Sequence, residues 1–309
     1  MNSKIPVIVI SGTNASGKSS LGIELAQKYN GEIISADSRQ VFNGFDLCCG
    51  KVTMEEKALV PHHMIDICDI QNTFSVSDYQ KQVYELIPQI FERGKLPFIV
   101  GGTGLYIDSV IKGYIFEDET IDYTYRKELE KKSIDELHSM LSENANTFLS
   151  SNNSDYNNKR RLIRIIEKEN KGYSILPKNN PNMFNTLQIG ITWPKELLYK
   201  RIDDRLASRI DKGMIDEVAN YLNNGGDTSF LYSLGLEYKY ITWYLEGKYS
   251  SIDEFKIEMS QAIKRFAKQQ INWFKRDSTI HWIDMTQDYF SESCNLINDF
   301  LKINQLYHE

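Results

Sequence analysis

A chain of 309 residues, 41% hydrophobic and 25% charged, is long enough for one large core or a core with a smaller insert. Its apolar runs fall short of the roughly 20 residues a membrane helix needs, and a strand pattern begins almost at the N-terminus, so a cytoplasmic protein without membrane segments is expected. The formal charge of -6 argues against indiscriminate coating of nucleic acid, which depends on Lys and Arg neutralising phosphates, but leaves room for a local basic surface.

The run Val7-Ile8-Val9-Ile10 predicts a buried strand, and Gly12-Thr13-Asn14-Ala15-Ser16-Gly17-Lys18-Ser19 follows it with the spacing of a P-loop. In such a loop, backbone N–H groups converge on a polyphosphate at a helix N-terminus, Lys18 adds a point charge and Ser19 offers an oxygen to Mg²⁺. Leu21, Leu25, Ala26 and Tyr29 share one face of the helix expected next, which Asn30-Gly31 should end. Glu32-Ile33-Ile34-Ser35 predicts a second buried strand, delivering Asp37-Ser38-Arg39-Gln40 to the edge at which open parallel sheets hold ligands. A loop and helix are expected over 51–59, a strand-like stretch over 62–66, and a helix running from an N-cap at Ser75 or Ser77 to about Glu92. Pro97-Phe98-Ile99-Val100 is a third apolar strand, and Gly101-Gly102-Thr103-Gly104 turns out of it. Strands alternating with helices predict an α/β fold, a P-loop NTPase-like parallel sheet flanked by helices. Cys48, Cys49, Cys68 and Cys294 show neither metal-ligand spacing nor a disulfide pattern and read as reduced thiols, while His62 and His63 read as structural.

From about Tyr114 the pattern turns to charged, helix-forming segments over 125–132 and 134–141 and then the polar run Ser150-Ser151-Asn152-Asn153-Ser154. A helical insert over 114–185 is therefore expected, with the catalytic core formed by 1–113 and 186–309. Inside the insert Lys159, Arg160, Arg161 and Arg164 alternate with Leu162, Ile163, Ile165 and Ile166, which gives one helix an apolar and a basic face. A solvated charged face and a nucleic-acid contact both fit that pattern. The core resumes with a strand over 187–193, and Pro194 near the first turn opens a long helix. On it Arg201, Arg205 and Arg209 recur at i, i+4 and i+8, a stripe suited to phosphates. Beyond Gly225-Gly226, helices are expected near 237–245 and 252–275, the second carrying Lys264, Arg265, Lys268, Lys275 and Arg276 among Phe266, Trp273 and Phe274. A last strand is expected over 280–283.

Several of these segments occur together in one family. The order of Gly12 to Ser19, Ser35-Ala36-Asp37-Ser38-Arg39-Gln40-Val41-Phe42, His62-His63-Met64-Ile65-Asp66, Phe74-Ser75-Val76-Ser77-Asp78-Tyr79, Gly101-Gly102-Thr103-Gly104-Leu105-Tyr106 and Phe266-Ala267-Lys268-Gln269-Gln270-Ile271-Asn272-Trp273-Phe274 resembles the tRNA dimethylallyltransferases, or tRNA isopentenyltransferases. The resemblance spans nearly the whole chain. It implies transfer of a dimethylallyl group from dimethylallyl diphosphate to N6 of adenine 37, beside the anticodon of tRNAs that read codons beginning with U. By the same resemblance Gly12, Thr13, Asn14, Ala15, Ser16, Gly17, Lys18 and Ser19 grip the donor's diphosphate, with Mg²⁺ at Ser19, and do not hydrolyse ATP. Asp37 is implied as general base, Thr103 as a hydrogen-bonding partner of the substrate and Lys239 as a further cation for the diphosphate. Contacts with tRNA are implied for Asp37, Ser38, Arg39 and Gln40, and for Arg160, Arg161, Leu162, Ile163 and Arg164. Expected partners are thus the tRNA anticodon stem-loop and dimethylallyl diphosphate, with a monomer as the default state.

The residues also admit plainer roles: Asp37 as an N-cap or an outer ligand of Mg²⁺, Thr103 as a helix cap, Lys239 as a surface lysine. Three departures from the family pattern stand out. Its usual Asp-Ile-Gly-Thr-Ala-Lys reads Asp46-Leu47-Cys48-Cys49-Gly50-Lys51 here, its Gly-Tyr-Arg or Gly-Tyr-Lys is lengthened by two residues to Gly235-Leu236-Glu237-Tyr238-Lys239, and its Lys-Arg-Gln is Lys268-Gln269-Gln270. Competing functions for the same motifs are an adenylate isopentenyltransferase acting on free AMP, ADP or ATP, a small-molecule P-loop kinase in which Asp37 activates a hydroxyl, and a tRNA-binding module without activity.

Overall fold

The computed structural model describes residues 4–116, 122–150, 156–174, 178–180 and 183–303. Its strands are β1 (Pro6–Ser11), β2 (Gly31–Ala36), β3 (His62–His63), β4 (Leu96–Gly101), β5 (Tyr114–Ile115), β6 (Lys178–Asn179), β7 (Asn185–Thr192) and β8 (His281–Asp284). Six of them form one parallel sheet in the order β3-β2-β4-β1-β7-β8. Every residue of β1, β2 and β4 is buried, because helices cover both faces of the sheet, and this is why the sequence shows continuous apolar runs there instead of alternation. Successive side chains still go to opposite sides. Val7, Val9, Ile34 and Ile99 meet the helices Val76–Glu92, Gly104–Ile111 and Ile252–Phe274 on one side. Ile8, Ile10, Ile33 and Phe98 meet Leu21 and Leu25 of the helix Lys18–Lys28 and Ile297 and Leu301 of the helix Tyr289–Ile303 on the other.

Register fixes the position of the site. Ser11 pairs with Gly101, and Gly101 with Ala36, so the segments that leave β1, β4 and β2 start side by side at one edge. β3 is shorter than the expected 62–66 because Met64 and Asp66 take left-handed backbone conformations with φ of 63° and 57°, which end the pairing. Ser75 is the N-cap of the next helix and forms a reciprocal capping box with Asp78. Pro194 is itself the N-cap of Lys195–Asp211, one position before the first turn. Four helices without a predicted counterpart, Asp46–Cys49, Met214–Asn223, Thr228–Leu234 and Tyr289–Ile303, complete this part of the chain.

The chain divides into two compact units, 1–113 with 182–309, and 114–181. The second contains the helices Tyr123–Lys131, Ile134–Ser139, Glu143–Ser150 and Lys159–Asn170, together with an antiparallel pair, β5 and β6, absent from the sequence expectation because each strand is two residues long. It has its own core of Leu129, Leu137, Leu141, Ala145, Leu149, Leu162, Ile163, Ile165 and Ile166. Arg126 holds the buried Glu167 carboxylate through Nε at 2.7 Å and Nη2 at 2.5 Å. Positions 151–154 of the polar run lie outside the described residues. Among the described residues no helix is long and apolar enough to cross a membrane.

Candidate active site

The P-loop leaves β1 and is held in shape from its own carbonyl groups. Ser16 Oγ and Lys18 Nζ both donate to the Thr13 carbonyl, at 2.8 and 3.3 Å. Trp193 Nε1 donates to the Ser16 carbonyl at 2.7 Å and Arg201 Nε to that of Ala15 at 2.9 Å, with the Arg201 guanidinium 4.4 Å from the Trp193 ring centre. Arg201, the first member of the predicted stripe, therefore braces the loop. Gly17 precedes the helix with φ of 92°, a conformation L side chains rarely adopt, and offers no side-chain cap to the first helical N–H groups. A helix N-terminus without a cap of its own is suited to an anion.

Two cavities open at this edge, of about 500 and 400 Å³, and Lys18, Ser19, Gly50 and Arg205 line both. The larger is bounded by Asn14 of the P-loop, by Asp37 to Gln40 after β2, and by Gly102 and Thr103 after β4. Eight of the predicted residues, Asn14, Lys18, Ser19, Asp37, Ser38, Arg39, Gln40 and Thr103, are thereby brought together. Asp37 Oδ1 accepts the Arg39 N–H at 2.9 Å, an Asx turn that fixes the carboxylate at the end of β2. Thr103 makes no cap bond. Its Oγ1 accepts the Ser38 N–H at 3.1 Å while its own N–H donates to the Ala36 carbonyl at 3.0 Å, so the turn after β4 is stitched to the one after β2. Gln40 accepts from Ser35 Oγ at 2.8 Å and donates to the Gly50 carbonyl at 3.3 Å, tying in the Cys48–Gly50 segment.

Charge is concentrated here. Burial, and after it the Arg205 guanidinium, lowers the Lys18 pKa to about 8. Burial and then Arg209 lower that of Arg205 to about 10. Glu237, which also lines the larger cavity, is raised above the usual carboxylate range by burial, against the opposing pull of Arg209. Cys48 and Cys49 line the same cavity as neutral thiols, since burial pushes Cys48 well up and Cys49 to about 12. All four cysteines are free. His62 bonds the Val60 carbonyl and His63 the buried Glu32, which accords with structural roles.

Some sequence-based candidates lie elsewhere. Lys239 does not line either cavity: Glu237 and Tyr238 take the inward positions of the helix Leu236–Leu245, and the Lys239 ammonium sits 4.3 Å from the Trp243 ring centre, which Lys248 approaches at 3.3 Å. Arg160, Arg161 and Arg164 belong to the other unit, on Lys159–Asn170. On that helix the Leu162 and Ile163 side chains are core, 0% and 5% exposed, and offer no surface. Conversely, the sequence did not single out Gln270, whose Oε1 accepts the Asn14 N–H at 2.9 Å and whose Nε2 donates to the Gly102 carbonyl at 3.0 Å. Its only sequence signal was its place in the motif 266–274.

Residues 40–277 match the family model described as IPP transferase. The chain belongs to the IPP transferase family. Among the relatives of this chain, the tRNA dimethylallyltransferase of Bacillus velezensis is 39% identical over 295 residues, covering 92% of each chain. That of Carboxydothermus hydrogenoformans is 42% identical over 289 residues, covering 90% of this chain and 91% of its own. The crystal structure of the full-length tRNA isopentenylpyrophosphate transferase of Bacillus halodurans superposes with a TM-score of 0.73 at 34% identity, over 98% of both chains. A eukaryotic dimethylallyltransferase acting on tRNA, with a TM-score of 0.77 at 23% identity over 97% of this chain and 80% of that one, shares the fold.

Proposed function

We propose that this protein moves the dimethylallyl group of dimethylallyl diphosphate to N6 of adenine 37, beside the anticodon of tRNA, and releases diphosphate. The observation that carries the reading is the meeting of a P-loop, Asp37 and Thr103 at one cavity, in a chain whose relatives are named tRNA dimethylallyltransferases.

The reaction breaks an allylic C–O bond, so positive charge develops on the allyl carbon while the leaving diphosphate gathers negative charge. Stabilising that leaving group is the main electrostatic task. The N-terminal amides of the helix Lys18–Lys28, the Lys18 ammonium and the Arg205 guanidinium are donors fixed around one space before substrate arrives. Ser19 lines both cavities, and its hydroxyl oxygen is suited to a hard cation whose other ligands are phosphate oxygens and water. Among the described residues no cluster of three or more His, Cys, Asp or Glu could hold a metal unaided, so Mg²⁺ would be held at Ser19 together with the diphosphate. The ion would supply additional charge neutralisation at the leaving group.

Adenine N6 is a weak nucleophile because its lone pair is delocalised into the ring, so a proton acceptor beside it is required. Asp37 takes the N6 proton, and Thr103, bonded to the Ser38 N–H, positions the acceptor. Leu105, Leu234, Phe266 and Trp273 give the larger cavity an apolar wall for the allyl tail and the base. An adenine of the anticodon loop reaches such a site only when it leaves its stack, which single-stranded loops permit. Arg160, Arg161 and Arg164 are the further candidates for tRNA phosphates, and the reading places the protein with tRNA in the cytoplasm.

The test is incubation with labelled dimethylallyl diphosphate and unmodified tRNA, free AMP, or neither, followed by location of the label. Label on adenine 37 is expected. Transfer to AMP alone would overturn the tRNA assignment, and ATP-dependent phosphorylation without prenyl transfer would overturn the reaction class.

A further inference from the structure

Two of the departures from the family pattern, at Cys48–Gly50 and at Leu236–Glu237, meet in space around one side chain, Arg209. Gly50 closes the short helix Asp46–Cys49 in the left-handed region, with φ of 57°. A Cβ placed there would fall on Nη2 of Arg209, 2.6 Å from its Cζ, and would also collide with Nη2 of Arg205. Gly50 thus leaves open the space into which two guanidinium groups from consecutive turns of Lys195–Asp211 converge. Glu237, contributed by the lengthened element, lines that larger cavity alongside both arginines and, with Asn14, the small cavity beside them.

Two like charges held side by side in a half-buried cavity repel each other, and the Glu237 and Asp37 carboxylates attract them without forming a direct ion pair with either arginine among the described residues. Such an arrangement is stable against a polyanion that bridges the pair, and Lys18 and Ser19 of the P-loop line the same cavity. We infer that Arg209 is a second arginine for the diphosphate, admitted by Gly50 and faced by Glu237, a binding residue that the P-loop motif and the predicted Lys239 do not supply. The inference rests on the diphosphate reading of the P-loop given above. Its chemistry is recognition of the two linked phosphoryl groups by adjacent guanidinium forks, with no bond made or broken.

Binding of inorganic diphosphate to the whole protein, followed by calorimetry at fixed ionic strength, tests this without relying on turnover. Arg209→Met is expected to weaken binding about 10- to 100-fold, through removal of charge-assisted hydrogen bonds. Gly50→Ala is expected to weaken it comparably, because the atoms a Cβ displaces are the mobile ends of the two arginine side chains. In the Arg209→Met background, Gly50→Ala should cost less than it does alone, since the overlap with Arg209 is gone and only the one with Arg205 remains. Melting temperatures of the variants, measured alongside, distinguish weakened binding from a damaged fold. Unaltered diphosphate affinity in a folded Arg209→Met variant overturns the inference, as does full multiplication of the two single effects in the double variant. A wild-type protein that binds inorganic diphosphate with this pattern yet transfers no prenyl group would count against the transferase reading and would leave Arg209 in place.

Discussion

At the scale of single residues, Asp37 carries two separable duties. Its Oδ1 holds the Arg39 N–H and so shapes the turn after β2, while its negative charge is what a base needs. Asn keeps the first and abolishes the second. Asp37→Asn should therefore lower the rate of prenyl transfer roughly 10² to 10⁴-fold with the Michaelis constant for dimethylallyl diphosphate nearly unchanged, in steady-state assays with tRNA. A rate within a factor of three of wild type would remove Asp37 from the role of base. Lys18 gives a second prediction, in pH. Its pKa of about 8 in the empty cavity, against 10.5 for a free lysine, means that it loses its charge there as the pH rises past 8. A bound diphosphate favours the ammonium and pulls the pKa back up. The Lys18 contribution to affinity for inorganic diphosphate should consequently fall as the pH rises past 8, and at pH 9 the wild type should take up more proton on binding than a Lys18→Met variant, in which the ligand's own ionisation is the same. Calorimetry in two buffers of different ionisation enthalpy reads that difference, and equal proton counts for wild type and Lys18→Met would show that Lys18 keeps its charge in the free protein.

At the scale of elements, the site depends on three turns being held in one arrangement, and Gln270 is the link between two of them. Reaching from the helix Ile252–Phe274, it joins the Asn14 N–H to the Gly102 carbonyl and is 7% exposed. Gln270→Leu would leave both backbone groups without that partner at the wall of the larger cavity, at about 1 to 3 kcal/mol for each group that stays unpaired. Denaturant unfolding should show destabilisation by about 2 kcal/mol or more, with slower prenyl transfer; a variant as stable as wild type would mean that water replaces the amide. This link also marks the limit of what the sequence makes legible. The P-loop, the Asp37 turn and the Thr103 turn could be read because each is local: an apolar run, a few glycines and a polar residue within one strand and its exit. Their shared edge followed from parallel pairing. Gln270 to Asn14 and Gly50 to Arg209 could not be read, because both pairs join residues more than 150 positions apart and depend on how far a side chain reaches. Lys239 lies outside both cavities for a related reason: the helix begins at Leu236 and turns Glu237 and Tyr238 inward in its stead.

At the scale of the whole molecule, the question is how a chain with a formal charge of -6 engages a polyanion. The answer lies in distribution. In and just after the helix Lys159–Asn170, the cations Lys159, Arg160, Arg161, Arg164, Lys168 and Lys171 outnumber the acids Glu167 and Glu169, and the buried Glu167 is held by Arg126 and, at 3.6 Å, by Arg164. The opposite face of that helix, Leu162, Ile163, Ile165 and Ile166, is anchored in the core of its own unit, so the basic side chains can be changed without emptying the core. Replacing Arg160 and Arg164 by Ala should raise the Michaelis constant for tRNA several-fold and leave that for dimethylallyl diphosphate unaltered. Because neutralised phosphates release counterions, the variant should also show a shallower dependence of tRNA affinity on salt, with the logarithmic slope reduced by about 0.7 to 0.9 for each phosphate no longer neutralised. Arg205 and Arg209 predict the reverse pattern, a weakened diphosphate with little change in the salt dependence of tRNA binding. The two sets of arginines would then be assigned to the two polyanions by experiment, one to the prenyl donor and one to the RNA. Equal effects of both sets on both substrates would show instead that neither set is dedicated to a single polyanion.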